Sequence, residues 1–100
     1  MPKIYISGKI TGLELNEARD NFDKAEKYLN EKFPDFQVIN PMKEVPYEKD
    51  KTWEEYMLED IKLLFDCYAI FMLTNWNLSK GARIEHAIAM QMGKSINYQS

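Results

Sequence analysis

Hydrophobic and polar positions follow two alternating periods along this chain, which predicts that short strands and amphipathic helices succeed one another. Four short runs rich in β-branched and aromatic residues are typical of strands, and the segments between them are predicted as helices, two of them carrying apolar residues three and four positions apart. In chain order the prediction is a strand at 3–6, a helix at 16–33, a strand at 36–39, a helix at 53–65, a strand at 68–73, a helix at 80–92 and a strand at 95–98.

Local signals at the ends of these segments support the assignment. Pro34 is expected to stop the first helix, and Gly93 is a suitable C-cap for the last one. Thr52 and Glu55 have the spacing of a capping box, in which each side chain bonds the backbone N–H of the other. Residues 40–51 contain two prolines and many charges, so they are predicted as the longest loop.

Alternating strands and helices predict an α/β fold in a single domain spanning residues 1–100. We expect three layers, with helices on both faces of a four-stranded parallel sheet of order 2-1-3-4, as in Rossmann and flavodoxin-like proteins. Ligands of such sheets bind beyond the carboxyl ends of the strands. The loops at 7–12, 40–51 and 74–81 should therefore meet at one site.

The composition excludes several kinds of partner. A formal charge of −3 with no strongly basic cluster disfavours a nucleic-acid polymer or an anionic membrane surface as the main partner. The one cysteine cannot form an internal disulfide, and no apolar run approaches the roughly 18 residues of a membrane span. We expect a cytoplasmic protein with a small-molecule partner.

The loop after the first strand carries Gly8 and Gly12, whose amides can approach and face an anion. Ser7 to Thr11 is similar to the end of a phosphate-binding P-loop, but Lys3 stands where that motif needs its first glycine, so the motif is not met. The alternative is a plain strand-to-helix turn.

The segment Ser79 to Glu85 leads into the last helix. Ser79 is expected to be the N-cap, and the first-turn amides form a potential anion site. Glu85 falls in the second turn, beside Ala82 and Ala89, which leaves room for a ligand. Its alternative is a solvated surface glutamate. Helical periodicity predicts that the buried face consists of Ile84, Ala87, Ile88 and Gln91.

Asp60 borders the buried face of the middle helix, and its alternative is a surface ion pair with Lys51 or Lys62. No metal site is expected, because His86 and Cys67 are the only residues of their types. We expect His86 to be exposed and Cys67 to belong to the core.

Three segments together resemble the nucleoside 2-deoxyribosyltransferase-like superfamily, which includes 2′-deoxynucleoside 5′-monophosphate N-glycosidases. The opening is similar to the strand and Gly-x-Ile turn of those enzymes, the middle to their aspartate-bearing helix before strand three, and the last to their Ser/Asp-x-Gly-x-x-x-Glu helix. Short bacterial and phage members are most similar. The matching segments are 4–12, 59–71 and 79–89, followed by Gly93-Lys94.

The resemblance implies roles for individual residues. Glu85 would be the nucleophile on the anomeric carbon, Asp60 would assist near the base, and Tyr5 would orient Glu85. Serine rather than aspartate at position 79 implies a phosphorylated ligand. The substrate-binding set would comprise Ser7, Gly8, Lys9, Ile10, Gly12, Ser79, Gly81 and Arg83, with Lys9 or Arg83 supplying charge.

The implied function is an N-glycosidase or 2-deoxyribosyltransferase that acts on a (deoxy)nucleoside 5′-monophosphate without cofactor or metal. Two alternatives remain open at this point: a nucleotide-binding protein without turnover, and a protein-interaction domain that keeps only the fold. We also expect a homodimer or higher homo-oligomer, because a small sheet with exposed methionine and aromatic residues gains from pairing.

Overall fold

A computed structural model describes all residues 1–100. The strands run parallel in the order β2-β1-β3-β4, with helices on both faces, which confirms the predicted α/β fold and strand order. A short 3₁₀ turn at Trp76–Leu78 precedes the last helix. The elements are β1 Lys3–Ser7, α1 Leu15–Lys32, β2 Gln37–Ile39, α2 Pro41–Glu44, α3 Trp53–Phe65, β3 Ala69–Met72, α4 Lys80–Gln91 and β4 Ser95–Tyr98.

Side chains of β1, one of the two interior strands, point alternately to two separate cores, as the pleat of a strand requires. Ile4 and Ile6 face α1, where they form the α1-side core together with Phe22, Ala25, Leu29, Ala69, Phe71 and Leu73. Tyr5 faces the opposite side, where the α3/α4-side core also contains Ile39, Leu64, Cys67, Ile70, Met72, Ala82 and Ala89. Ser7 follows Tyr5 on this second face.

The predicted helix boundaries agree with the structure to within one or two residues. At the start of α3, the Glu55 backbone N–H donates to the Thr52 hydroxyl at 3.1 Å and the Glu55 carboxylate accepts from the Thr52 N–H, which completes the capping box. Glu55 thus fixes where α3 begins. This position matters because the first two turns of α3 reach the functional site.

The prediction of a loop throughout 40–51 is wrong at its beginning. Residues Pro41–Glu44 form the short helix α2, in which the Asn40 side chain caps the Met42 N–H at 3.1 Å. Asn40 is a strong N-cap residue and Pro41 has a backbone angle already suited to the first helical position, so Asn-Pro begins a turn of helix here.

The predicted buried face of α4 is wrong for three of its four residues. The buried residues are Ala82, Glu85 and Ala89, and Ile88 packs partly buried against the same core. Ile84, Ala87 and Gln91 are exposed. Small alanines allow α4 to lie close to the sheet, and this close packing outweighs the stronger hydrophobicity of isoleucine at position 84. Glu85 therefore points inward.

The predictions for Cys67 and His86 had different outcomes. Cys67 is buried as expected, and burial raises the pKa of its thiol to about 11. His86 is not a free surface residue, because its ring stacks on Trp76 at 4.2 Å and its Nε2 lies 2.8 Å from the Tyr98 hydroxyl. None of the helices is both long enough and apolar enough to cross a membrane.

Candidate active site

A cavity of about 200 Å³ opens at the carboxyl ends of the strands. The three loops that the topology brings together all contribute to it: Gly8 and Ile10 from the first, Tyr47 from the second, and Ser79 and Gly81 from the third. The site thus lies where ligands of open parallel sheets bind.

Glu85 forms the floor of this cavity, and its residue surface is only 4% exposed. The Tyr5 hydroxyl donates to Oε2 at 2.8 Å, and the Ser7 hydroxyl donates to Oε1 at 2.6 Å. Both donors come from β1, so the pleat of a single strand holds the carboxylate. Each oxygen keeps further acceptor capacity, and the alternative of a solvated glutamate is wrong.

Burial also alters the acidity of this carboxyl group. Loss of hydration raises the pKa of Glu85 to about 7, while the hydrogen bonds from Ser7 and Tyr5 act in the opposite direction by stabilising the anion. Burial next to the same carboxylate raises the pKa of the Tyr5 phenol well above its usual value. Tyr5 therefore stays protonated and keeps donating to Glu85.

Asp60 lines the same cavity from α3. Burial, and then repulsion from Glu85, raise the pKa of its carboxyl group to about 8. The expected alternative, a surface ion pair with Lys51 or Lys62, is wrong, because Lys51 pairs with Glu48 and Glu59 and none of the four ion pairs includes Asp60. A protonated Asp60 and an ionised Glu85 can coexist in one pocket near neutral pH.

Residues of the first loop have two different roles, since some line the cavity and others support the residues that do. Gly8 and Ile10 line the cavity, whereas Ser7 lies behind Glu85. A Cβ atom at Gly8 would collide with the Leu73 side chain, so the glycine is needed for packing between the ends of β1 and β3. Gly12 lies outside the cavity, in the turn before α1.

Lys9 also lies outside the cavity lining. Its backbone N–H donates to the Asn75 side chain at 3.0 Å, and its Nζ donates to the Leu78 carbonyl at 3.4 Å. Lys9 therefore joins the first loop to the third one. It does not present its charge to the cavity, contrary to the role that the resemblance implied.

The third loop supplies the start of α4. Ser79 is the N-cap, as predicted, and its Oγ accepts from the Ala82 N–H at 3.1 Å. Its hydroxyl hydrogen remains available to a ligand. A Cβ at Gly81 would lie 3.0 Å from the Met57 sulfur, so this glycine allows α3 and α4 to approach closely. Arg83 is exposed outside the cavity lining.

The aromatic walls of the cavity were missed by the sequence analysis as binding residues. Trp53 and Tyr56 come from α3, Tyr47 from the segment before it, and Phe22 from α1. The Tyr56 hydroxyl accepts from the Glu48 N–H at 2.7 Å, which holds the 45–51 segment against α3. The available signal was the concentration of aromatic residues between positions 47 and 56.

Arg19 was missed as well. It lies on α1 and is the only lysine or arginine among the cavity-lining residues. No periodic signal marks it, because exposed arginines are ordinary on an amphipathic helix. No group of three His, Cys, Asp or Glu side chains is arranged to bind a metal ion.

Fold and site together define a Rossmann-like α/β domain with two carboxyl groups in an aromatic-walled cavity at the strand ends. The chain belongs to the family described as Domain of unknown function (DUF4406), whose model matches residues 2–98. No curated protein matches the sequence.

Proposed function

We propose that this protein cleaves the N-glycosidic bond of a (deoxy)nucleoside or its 5′-monophosphate, as a hydrolase or a 2-deoxyribosyltransferase. The observation that carries the proposal is Glu85, a buried carboxylate that two hydroxyl donors hold facing a cavity. A nucleophile must be oriented and poorly hydrated to attack a sugar carbon efficiently.

The chemistry requires two groups with different protonation states. Breaking the bond between sugar and base builds positive charge on the ring, and an ionised Glu85 captures the anomeric carbon as an ester. The base leaves with the bonding electron pair and takes a proton from Asp60. Water then attacks the same carbon, releases Glu85 and returns a proton to Asp60. A second base in place of water gives transfer.

The electrostatics of the site support this division of roles. The hydroxyl groups of Tyr5 and Ser7 stabilise the ionised form of Glu85, whereas burial and the charge of Glu85 raise the pKa of Asp60 and favour its protonated form. Where two carboxyl groups share an active site, the difference between their environments commonly determines which one is ionised and which one acts as the acid. Tyr5 and Ser7 are positioning residues in this scheme.

The lining of the cavity supports a ligand that carries a flat base, although the cavity is small. Its volume of about 200 Å³ is somewhat below the range of about 300–1,000 Å³ typical of drug-sized ligands. Trp53, Tyr56 and Tyr47 contribute aromatic side chains to the lining, against which a base can pack. Lys80 Nζ lies over the Trp53 ring at 5.0 Å and Lys51 Nζ over the Tyr56 ring at 4.7 Å. The resemblance in the segments around Tyr5, Asp60 and Glu85 points to the same substrate class.

The test is release of free base from a panel of nucleosides, deoxynucleosides and their 5′-monophosphates, followed by chromatography. We expect release by the wild type and a loss of at least about 10³-fold in Glu85→Gln, since this change removes the nucleophile without changing its size. Glu31→Gln, an exposed position on α1, is the matched control and should retain activity.

Two results would contradict the proposal. Base release that survives Glu85→Gln would show that another group acts on the sugar. Ligand binding without any base release, seen as a thermal shift, would make the protein a nucleotide-binding protein without turnover.

A further inference from the structure

We propose that Arg19 binds the 5′-phosphate of the ligand and thereby selects nucleoside 5′-monophosphates over nucleosides. This inference rests on the proposed function for its substrate class. It assigns the charged phosphate contact to α1, in place of Lys9 or Arg83, which the resemblance had implied.

The placement of Arg19 follows from helical geometry. Leu15, Arg19 and Phe22 lie four and three residues apart on α1, so they share one face. All three line the cavity, which means that this face of the first two turns looks into it. Phe22 is buried, whereas Arg19 is exposed, so the guanidinium belongs to the solvent side of the cavity, where a phosphate would remain partly hydrated.

The guanidinium of Arg19 is also free to bind. The four ion pairs of the chain do not include it. Its neighbours on α1 are engaged elsewhere, because Asp20 pairs with Lys24 at 3.0 Å and Asp23 accepts from the Asn40 side chain at 3.2 Å. Arginine without an internal partner presents a planar fork of donors that matches phosphate oxygens.

Charge balance in the cavity gives Arg19 a decisive role. Asp60 and Glu85 are the acidic residues of the lining, and Arg19 is its only cation. A phosphate dianion entering beside an ionised carboxylate is repelled unless a cation lies near it. A nucleoside without phosphate meets no such repulsion, so removal of Arg19 should affect the two ligand types differently.

The experiment measures dissociation constants for the four deoxynucleosides and their 5′-monophosphates by titration calorimetry in the Glu85→Gln background, where the ligand stays intact. We expect Arg19→Gln to weaken monophosphate binding by about 10- to 100-fold, the usual loss for a charge-assisted hydrogen-bonded pair, and nucleoside binding by less than about threefold. Arg19→Lys should be intermediate, because it keeps the charge and loses the fork.

Arg83→Gln is the matched control, since it removes the same charge from the only other arginine of the chain. Equal weakening of both ligand types by Arg19→Gln, a monophosphate-specific loss in Arg83→Gln, or no preference of the Glu85→Gln parent for monophosphates would each overturn the inference. Binding needs no turnover. If Arg19→Gln weakens monophosphate binding but no base is released, only the proposed chemistry is contradicted. If nucleosides are cleaved without any preference for the phosphate, only this inference is contradicted.

Discussion

The α1-side core and the α3/α4-side core each contain eight buried hydrophobic residues, yet they differ in what they enclose. The first gathers aliphatic and phenylalanine side chains. The second includes the Tyr5 phenol and adjoins the buried Glu85, whose hydrogen bonds cross from α4 to β1. Residues of both sides line the cavity, but only the α3/α4 side buries a carboxyl group, which folding alone would not select.

This difference has an energetic meaning. A buried aliphatic side chain stabilises the native state because it is removed from water. A buried carboxyl group loses the free energy of its hydration, and its hydrogen bonds to the protein replace only part of that free energy. The raised pKa of Glu85 is the direct sign of that cost, because a shift of one unit corresponds to about 1.4 kcal/mol. The buried Glu85 therefore makes the α3/α4 side less stable than an all-apolar core would be, at the place where the proposed chemistry occurs.

The largest effects should come from truncating the aliphatic parts of both cores. Leu29 on the α1 side and Leu64 on the α3/α4 side are both fully buried. We expect Leu29→Ala and Leu64→Ala each to lower the free energy of unfolding by about 2–5 kcal/mol, because both leave a cavity. Urea denaturation measures this. A loss below about 1 kcal/mol at either position would show that its core is loosely packed.

Glu85→Gln should have an intermediate effect of the opposite sign, because it should raise the free energy of unfolding. The pKa of Glu85 is raised in the folded state, so ionisation costs stability as pH rises from about 4.5 to 7. Glutamine avoids that cost and should raise the free energy of unfolding by about 1–3 kcal/mol at pH 8, with no gain at pH 4.

Denaturation at both pH values checks this second expectation, with Glu31→Gln as the exposed control. A variant that is less stable than wild type at pH 8 would mean that the hydrogen bonds from Tyr5 and Ser7 outweigh the loss of hydration. The proposed contrast between the two cores would then fail.

The smallest effect concerns a single hydrogen bond. Ser7→Ala removes the donor to Glu85 Oε1, and this donor lowers the pKa of the carboxyl group. We expect the acid limb of kcat/KM for base release to move up by about one pH unit. Ser95→Ala, at an exposed position of β4, should leave the limb unchanged, and an unmoved limb in Ser7→Ala would exclude Ser7 from tuning Glu85.

Much of the architecture could be predicted from the sequence because its signals are local. The capping box at Thr52, the N-cap at Ser79 and the apolar strand β3 each depend on neighbours along the chain. Alternation of strands and helices then restricts the topology to a few arrangements. Loops that follow parallel strands must meet, which is why the position of the cavity followed from the order of elements.

The rest of the site depends on contacts between distant parts of the chain. Ser7 lies 78 positions from Glu85, and no local pattern marks it as the partner of that carboxylate. Ala82 and Ala89 carry little hydrophobic signal, so the buried face of α4 could be found only from the close packing they permit. Arg19 has the ordinary pattern of a surface residue, and only the assembled cavity distinguishes it.

The pleat of β1 has a consequence for how this domain tolerates insertions and deletions. Tyr5 and Ser7 project to one side of the sheet and Ile4 and Ile6 to the other. A register shift of one residue within this strand would exchange the two sets. Two isoleucines would then face Glu85, and two hydroxyl groups would lie among the aliphatic residues. Length changes at this strand would therefore abolish folding and the proposed chemistry together.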